Sequence, residues 1–334
     1  MAVNYLMSLG YSEDIAVKIV NDYALLSYDN DTLKSKLETN YNFFSSLGYT
    51  QKQIIKITRV VPGLFSYSII TLLSRIGDYR ELGFTESEIK KMILANPHIL
   101  KHPYATSLNK IKDMMTLKLT YNEVLKIIKK FPQILGSDIS YISKRIDDIV
   151  SLGFSKNQAL KIIKKLPSII NLSQNKVKKR IKDICLLGFT NEEVIEMCSI
   201  YPQLLSLLMS KINARFNNLL TFGFKVEDAR RIVLEFPVIL GSTIENTNDK
   251  LNLYKEFGIL NVIVKVPKYL IQSVELSFAR YYYLNNIGIE INEENAFLLF
   301  LNESVFKKRF KISKADLLDR FNYEEYLNKK KEKN

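Results

Sequence analysis

The stretch "KIIKKFPQIL", Lys126 to Leu135, returns 35 residues later as "KIIKKLPSII", Lys161 to Ile170. A proline inside an otherwise helical phrase lacks an N–H and drives its ring against the preceding turn, so no single helix runs through it. The phrase is therefore a helix end, and it is repeated. Working outward, the word Leu-Gly-aromatic or a variant places glycine at Gly10, Gly48, Gly83, Gly153, Gly188, Gly223, Gly258 and Gly288, with Lys118 in the one slot that lacks it. Six consecutive intervals are 35 residues, while the first is 38 and the last 30, as expected of irregular terminal units in a stacked array. Fourteen residues after each regular slot stands Pro62, Pro97, Pro132, Pro167, Pro202 or Pro237; Pro267 arrives early, and Ala24 holds the place in the first unit.

Each unit reads as local chemistry. The glycine ends a helix, where a left-handed residue is needed. Two residues on, Ser or Thr is followed three later by Glu or Gln: Thr50 and Gln53, Thr85 and Glu88, Thr120 and Glu123, Ser155 and Gln158, Thr190 and Glu193. These are capping boxes that start a first helix. Val124, Ile127, Ile128 and Phe131 give that helix an apolar face, and the proline ends it. "PQIL" and "PSII" are too short for a helix of their own and predict a 3₁₀ turn that drops two aliphatics into the core. A second amphipathic helix follows, as in "ISYISKRIDDIVSLG", with Ile142, Ile146, Ile149 and Leu152 on one stripe. The expected fold is all-α: an α-solenoid, or superhelix, of about nine helix-pair repeats of roughly 35 residues. Residues 1–288 form the array and 289–334 a C-terminal helical cap with a basic tail, with no linker between units.

Composition narrows the partners. A formal charge of +13 with 47% hydrophobic residues describes a folded chain whose field favours polyanions or anionic surfaces. No apolar run reaches the length of a membrane span, the longest being "AFLLFL" from Ala296, so no membrane role is expected. Cys185 and Cys198 fall at apolar repeat positions and read as buried free thiols. His98 and His102 flank the turn "PHILKHP" without the accompanying Cys or carboxylates of a metal site. GxxxxGK[ST], GxGxxG and GxSxG are absent, and the acids recur as caps rather than as a converging pair. A non-catalytic protein without cofactor or metal is expected.

Sorted by repeat position, the bases form two columns. Eight residues before the slots lie Arg75, Lys110, Arg145, Arg180, Arg215, Lys250 and Arg280, interrupted only by Asn40 in the first unit. Asp78, Asp113, Asp148 and Asp183, three residues on, offer four of them a local ion pair. Arg215, Lys250 and Arg280 have no such acid, which points to phosphate contacts along the column. At about 9–10 Å per layer, seven charges follow roughly 16–18 base pairs of a duplex. Eight residues after the slots stand Lys18, Lys56, Lys91, Lys126, Lys161 and Arg231, interrupted by Glu196 and thickened by Arg59, Lys129 and Lys164. This second column is either a solvated face or a second phosphate surface. Phe84, Phe154, Phe189 and Phe224 occupy core slots. Tyr282, between Tyr281 and Tyr283 and beside Arg280, is a base-stacking candidate whose alternative is an aromatic cap over the last full repeat.

The combination of LGF, a capped helix, F-P-x-[IL]-L and a second helix resembles the mitochondrial transcription termination factor repeat of the mTERF family, from about Leu6 to Gly288. The segment "SVFKKRF", Ser304 to Phe310, is similar to the family's closing segment. Pentatricopeptide arrays share the period but not the proline in the fourteenth place. The resemblance implies a curved superhelix whose positive inner surface binds duplex DNA or structured RNA, acting in transcription termination or initiation, RNA and ribosome maturation or intron splicing. A monomer in a mitochondrion or plastid follows from it. No targeting peptide is visible, since "LMSLGYSED" already belongs to the repeat, so such a peptide is expected to be absent or removed, and the compartment stays open. An alternative function is a protein-binding solenoid scaffold, whose groove would be apolar or of mixed charge.

Overall fold

One unit of the computed structural model, which describes residues 2–22 and 24–332, displays the logic of them all. The Thr120 side chain accepts from the Glu123 amide, and the Glu123 carboxylate accepts from the Thr120 amide at 3.0 Å, so the helix Tyr121–Lys130 starts there. It stops at Phe131, whose φ of −147° and ψ of 74° are those of a residue pushed out of the helical region by the following proline. The 3₁₀ turn Pro132–Gly136 then buries Ile134 and Leu135. The second helix, Ile139–Val150, buries Ile142, Ile146 and Ile149. Leu152 and Phe131, expected on the same stripes, are half-buried at the edges of the layer.

The same triplet of first helix, 3₁₀ turn and second helix recurs as Gln51–Val60, Pro62–Ser66 and Ile69–Glu81, then as Glu86–Ala95, Pro97–Lys101 and Tyr104–Met115. It continues through Lys156–Lys165, Pro167–Asn171 and Gln174–Cys185, and through Asn191–Ile200, Pro202–Leu205 and Met209–Phe222. Val226–Glu235, Pro237–Gly241 and Ile244–Glu256 follow, then the shortened Leu260–Lys265, Pro267–Ile271 and Val274–Asn286. All five capping boxes form. The fold is an all-α solenoid of helix pairs, with no strand among the described residues.

By its internal contacts the chain divides into two compact units: Met1–Val150 with Ala159–Asn171, and Ser151–Gln158 with Leu172–Asn334. Within the first, the helices Gln51–Val60, Glu86–Ala95 and Tyr121–Lys130 pack successively on one another, as do the second helices from Ile69–Glu81 to Ile139–Val150. The same layering of first on first and second on second holds within the other unit from Gln174–Cys185 to Val274–Asn286. Residues after 288, which the sequence sets apart as a cap, pack inside that unit: helices Lys314–Arg320 and Tyr323–Lys331 both lie against Val274–Asn286.

Two left-handed residues test the role of the glycine slot. Gly83 sits at φ 94°, and Lys118, the exception in the lattice, takes the same turn at φ 66° despite its Cβ. The tertiary structure imposes the conformation, and glycine merely adopts it without the steric conflict. Lys311 repeats the exception at φ 59°, followed by a Ser313–Asp316 capping box, so the repeat grammar reaches past the last glycine.

Two stability changes follow. Lys118→Gly should raise unfolding free energy by about 1 kcal/mol, the relief of a left-handed side-chain-bearing residue. Ile127→Ala or Ile162→Ala should lower it by about 2–5 kcal/mol, because both side chains are fully buried, at 0% exposure. Urea unfolding followed by circular dichroism measures both. A change below about 0.5 kcal/mol at either isoleucine would contradict the assignment of the core face.

Candidate functional site

The column that precedes the glycines lies on the second helices, and the structure gives it a task at the 3₁₀ turns. The last carbonyls of a short 3₁₀ helix have no partner within it. Arg215 donates to the carbonyl of Leu240 at 2.5 Å, and Lys250 to that of Leu270 at 2.6 Å. Arg280 donates to Leu299 and Leu301 at 2.8 and 2.7 Å, and Lys110 to Ser137 at 3.2 Å. Each acceptor belongs to the 3₁₀ turn of the following unit or to the residue just after it. Asn40, which breaks the column by charge, does not break it by chemistry: its amide donates to Phe65 and Tyr67 at 3.1 and 3.2 Å. What recurs is a long donor that closes orphaned carbonyls, and a positive charge is only its commonest form.

Burial follows from this task. Arg280 is 2% exposed and Lys250 9%. Burial pushes the Arg280 guanidinium down to about 10 and the Lys250 ammonium below its ordinary range. Arg280 also lies over the Phe306 ring at 4.2 Å. These two residues, expected to meet phosphate, are interior donors. Arg75 and Arg145 pair with Asp78 and Asp148 at 3.3 and 2.8 Å, as the spacing allowed. Asp78 in turn accepts from the Tyr104 amide at 3.0 Å, capping a helix whose own first residue is preceded by Pro103. Lys110 bypasses Asp113 and reaches Asp138 at 3.3 Å.

Arg180 is the member without an acceptor. Asp183, its expected partner, is held by Lys179 at 2.8 Å. Tyr282 also leaves the list of exposed groups: its ring packs on Phe278 at 4.5 Å, and burial pushes its hydroxyl up to about 12. Tyr281 stacks on Phe257 at 3.6 Å, so the tyrosine run is an aromatic cap whose faces are already covered. Phe84, Phe154 and Phe189 are buried as expected, and Phe224 is half-buried against Phe222.

The second column behaves oppositely. Lys56, Lys91, Lys126 and Lys161 are exposed at equivalent positions of four first helices in the first unit, and none hydrogen-bonds or ion-pairs through its ammonium with a described residue. Lys18 is exposed in the same way. Two of their neighbours one turn on do have partners, Lys129 with Glu88 at 2.6 Å and Lys164 with Glu123 at 2.9 Å, while Arg59 is exposed with none among the described residues. Those glutamates are the capping-box residues, each with one oxygen on the N-cap amide of its own helix and the other on the lysine of a later layer. Lys130 donates to the carbonyl of Lys164 at 3.2 Å. The field on this face is strong enough to register at Lys165, whose ammonium is held below its ordinary range by burial and by the charges of Lys161 and Lys130. Arg231, in the other unit, pairs with Glu235 at 3.2 Å, and Glu196 interrupts the column there.

Elsewhere the chemistry is sparse. No group of three His, Cys, Asp or Glu able to hold a metal occurs among the described residues. Burial pushes the imidazoles of both His98 and His102 below their ordinary range. Cys198 is buried, with its thiol pushed up to about 12, whereas Cys185 is only half-buried. No helix among the described residues is long and apolar enough to cross a membrane. The signal that separates the two columns is not in their charge: it is whether a carbonyl or carboxylate lies within reach, which depends on the next layer.

The mTERF family model matches residues 34–184 and again residues 156–307. No curated protein matches the chain.

Two measurements separate the columns energetically. Arg280→Met should destabilise by about 2–5 kcal/mol, since it removes three hydrogen bonds from an interior site and leaves the Leu301 carbonyl without its side-chain donor, while Lys126→Gln should change stability by less than about 0.5 kcal/mol. Equal effects in urea unfolding would refute the distinction. The second concerns acid. The hydrogen bond from Lys164, then that from the Thr120 amide, holds the Glu123 carboxyl below its ordinary 4.5. A depressed folded value contributes stability above the unfolded value, and this is lost as pH falls through the folded one. Glu123→Gln should therefore lower the urea midpoint at neutral pH and lose that difference on acidification well below 4.5. A difference that is constant with pH would show that the bridge contributes nothing.

Proposed function

The chain belongs to the mTERF family, whose members are helical-repeat proteins that generally bind nucleic acid without catalysis, and from that premise we propose that it grips a phosphate backbone with its first-helix face. The observation that carries this reading is the contrast between the columns. Four ammoniums at one repeat position, Lys56, Lys91, Lys126 and Lys161, have no acceptor among the described residues, while the second-helix bases are largely committed to carbonyls and carboxylates. An uncommitted ammonium releases counterions when it meets phosphate, and that release drives sequence-independent binding. At about 9–10 Å per layer, four such charges follow roughly 8–9 base pairs.

The partner class is duplex DNA or structured RNA, and the outcome is control of transcription, by termination or initiation, or of RNA and ribosome maturation. Phosphate contacts of this kind position a protein on its target and carry no sequence information, so the target sequence is read by other groups. Of the first column, Arg180 keeps a phosphate role in this reading, Lys110, Arg215, Lys250 and Arg280 serve the stack, and Arg75 and Arg145 are paired on their own helices.

Replacing Lys56, Lys91, Lys126 and Lys161 together by Gln should weaken binding to all duplex sequences alike and flatten the plot of log affinity against log salt by about 3–4 units. Fluorescence anisotropy over a salt series measures it. Unchanged affinity and slope would refute this face as the interface. Binding that is weak and insensitive to salt in the unaltered protein, together with capture of a protein partner, would favour the scaffold.

A further inference from the structure

Arg180 stands apart from every other member of its column, and the turn it faces differs as well. The 3₁₀ turn of that layer, Pro202–Leu205, is one residue shorter than the five-residue turns Pro132–Gly136 and Pro237–Gly241. Those end in an extended residue, Ser137 with ψ 142° and Ser242 with ψ 156°. Here Ser206 stays near the helical region with ψ −15°, and the Leu207 amide turns back to the carbonyl of Gln203 at 3.0 Å. The second helix then starts at Met209 behind Leu208, which has no side-chain cap. Arg180 makes no hydrogen bond to a carbonyl of this turn, unlike Arg215 and Lys250 at theirs.

The guanidinium is left over. Its Nε is buried without a partner, as it is in Arg75, Arg145 and Arg280. Those three place a terminal nitrogen on an oxygen. Arg180 makes no hydrogen bond or ion pair with any described residue, and it lines a groove of about 370 Å³ inside the second compact unit. Lys176 and Lys179 share the groove, Asp183 is the one carboxylate in it and is already bound to Lys179, and Leu205 and Met209 supply apolar wall. The hydroxyl of Ser206 donates to Gln203 at 3.0 Å and keeps its acceptor side. Three cations and one carboxylate line the groove, whose volume lies within the ordinary range of about 300–1,000 Å³ for binding sites.

We infer that this groove is a phosphate-binding site, with Arg180 as the bidentate ligand and Lys176 and Lys179 as the surrounding positive field. The fork geometry suits two oxygens of one phosphate, which a lysine cannot match. The inference rests on the nucleic-acid reading for its natural occupant, a backbone phosphodiester. Such a contact fixes register on the nucleic acid at one defined point, in a region separate in sequence from the row of first-helix lysines.

The test uses the full chain with Arg180→Gln and Arg180→Lys. Inorganic phosphate is titrated while the Arg180 Nε–Hε resonance is followed by NMR, and a short random-sequence duplex is titrated by anisotropy over a salt series. Phosphate should move the resonance saturably. Arg180→Gln should bind the duplex about tenfold more weakly. Its salt slope should be shallower by about one contact, and Arg180→Lys should recover slope but not full affinity. Thermal midpoints should stay unchanged, since no internal bond is lost. A silent resonance with unaltered duplex binding by Arg180→Gln overturns the site while leaving the lysine face standing. A moving resonance in a protein that binds no duplex supports the phosphate site and overturns the nucleic-acid reading. A marked drop in thermal midpoint for Arg180→Gln overturns the site by making the arginine a structural donor.

Discussion

The structure depends on what happens to the carbonyls exposed when proline cuts each unit after its first helix. A 3₁₀ turn of five residues is too short to satisfy its own last acceptors, and it buries two aliphatics, so it cannot be moved out to water. The second helix of the preceding layer answers with a long side chain that reaches across. Asn40, Lys110, Arg215, Lys250 and Arg280 all do this with different lengths and charges. Each bond joins one layer to the next, so a stack whose units touch only their neighbours gains at each step a polar link in addition to its apolar contact.

That constraint sorts the charge of the molecule. Part of the formal +13 serves the stack, where a guanidinium such as that of Arg280 works as a multiple donor under a ring and three oxygens, with no carboxylate bonded to it. Another part is bound into the capping-box glutamates, which start one helix and hold a lysine from a later one. Among the bases with no hydrogen bond or ion pair to a described residue are a row of lysines on the first helices of one unit, and Arg180 in the other. The proposed interface draws on bases of this kind, which the stack does not use.

The fold was legible because its determinants are local. The glycine slots, the prolines and the five capping boxes each act within a few residues, and the structure realises all of them. Lys118 and Lys311 mark the limit of that legibility, since both take the left-handed turn without glycine, and the second conceals the continuation of the pattern past 288. The site was less legible because commitment of a charge is a property of the next layer, about 25 residues away. Arg215 and Lys250 lack an acid at the helical spacing, which reads in sequence as freedom, yet their partners are main-chain oxygens that no residue type announces. Asn40 carried the only hint: an amide in the place of a base is compatible with a donor's task and not with a phosphate ligand's.

The most direct measurement is lysine acylation followed by mass spectrometry, with and without a nucleic-acid duplex, because it reads both columns at once. The account predicts that Lys250 is unreactive in either state, that Lys56, Lys91, Lys126 and Lys161 react readily in the free protein, and that these four become protected when the duplex is bound. Ready acylation of Lys250 in the folded protein, or protection falling on the second-helix lysines Lys112 and Lys144 while the four first-helix lysines stay reactive, would contradict it.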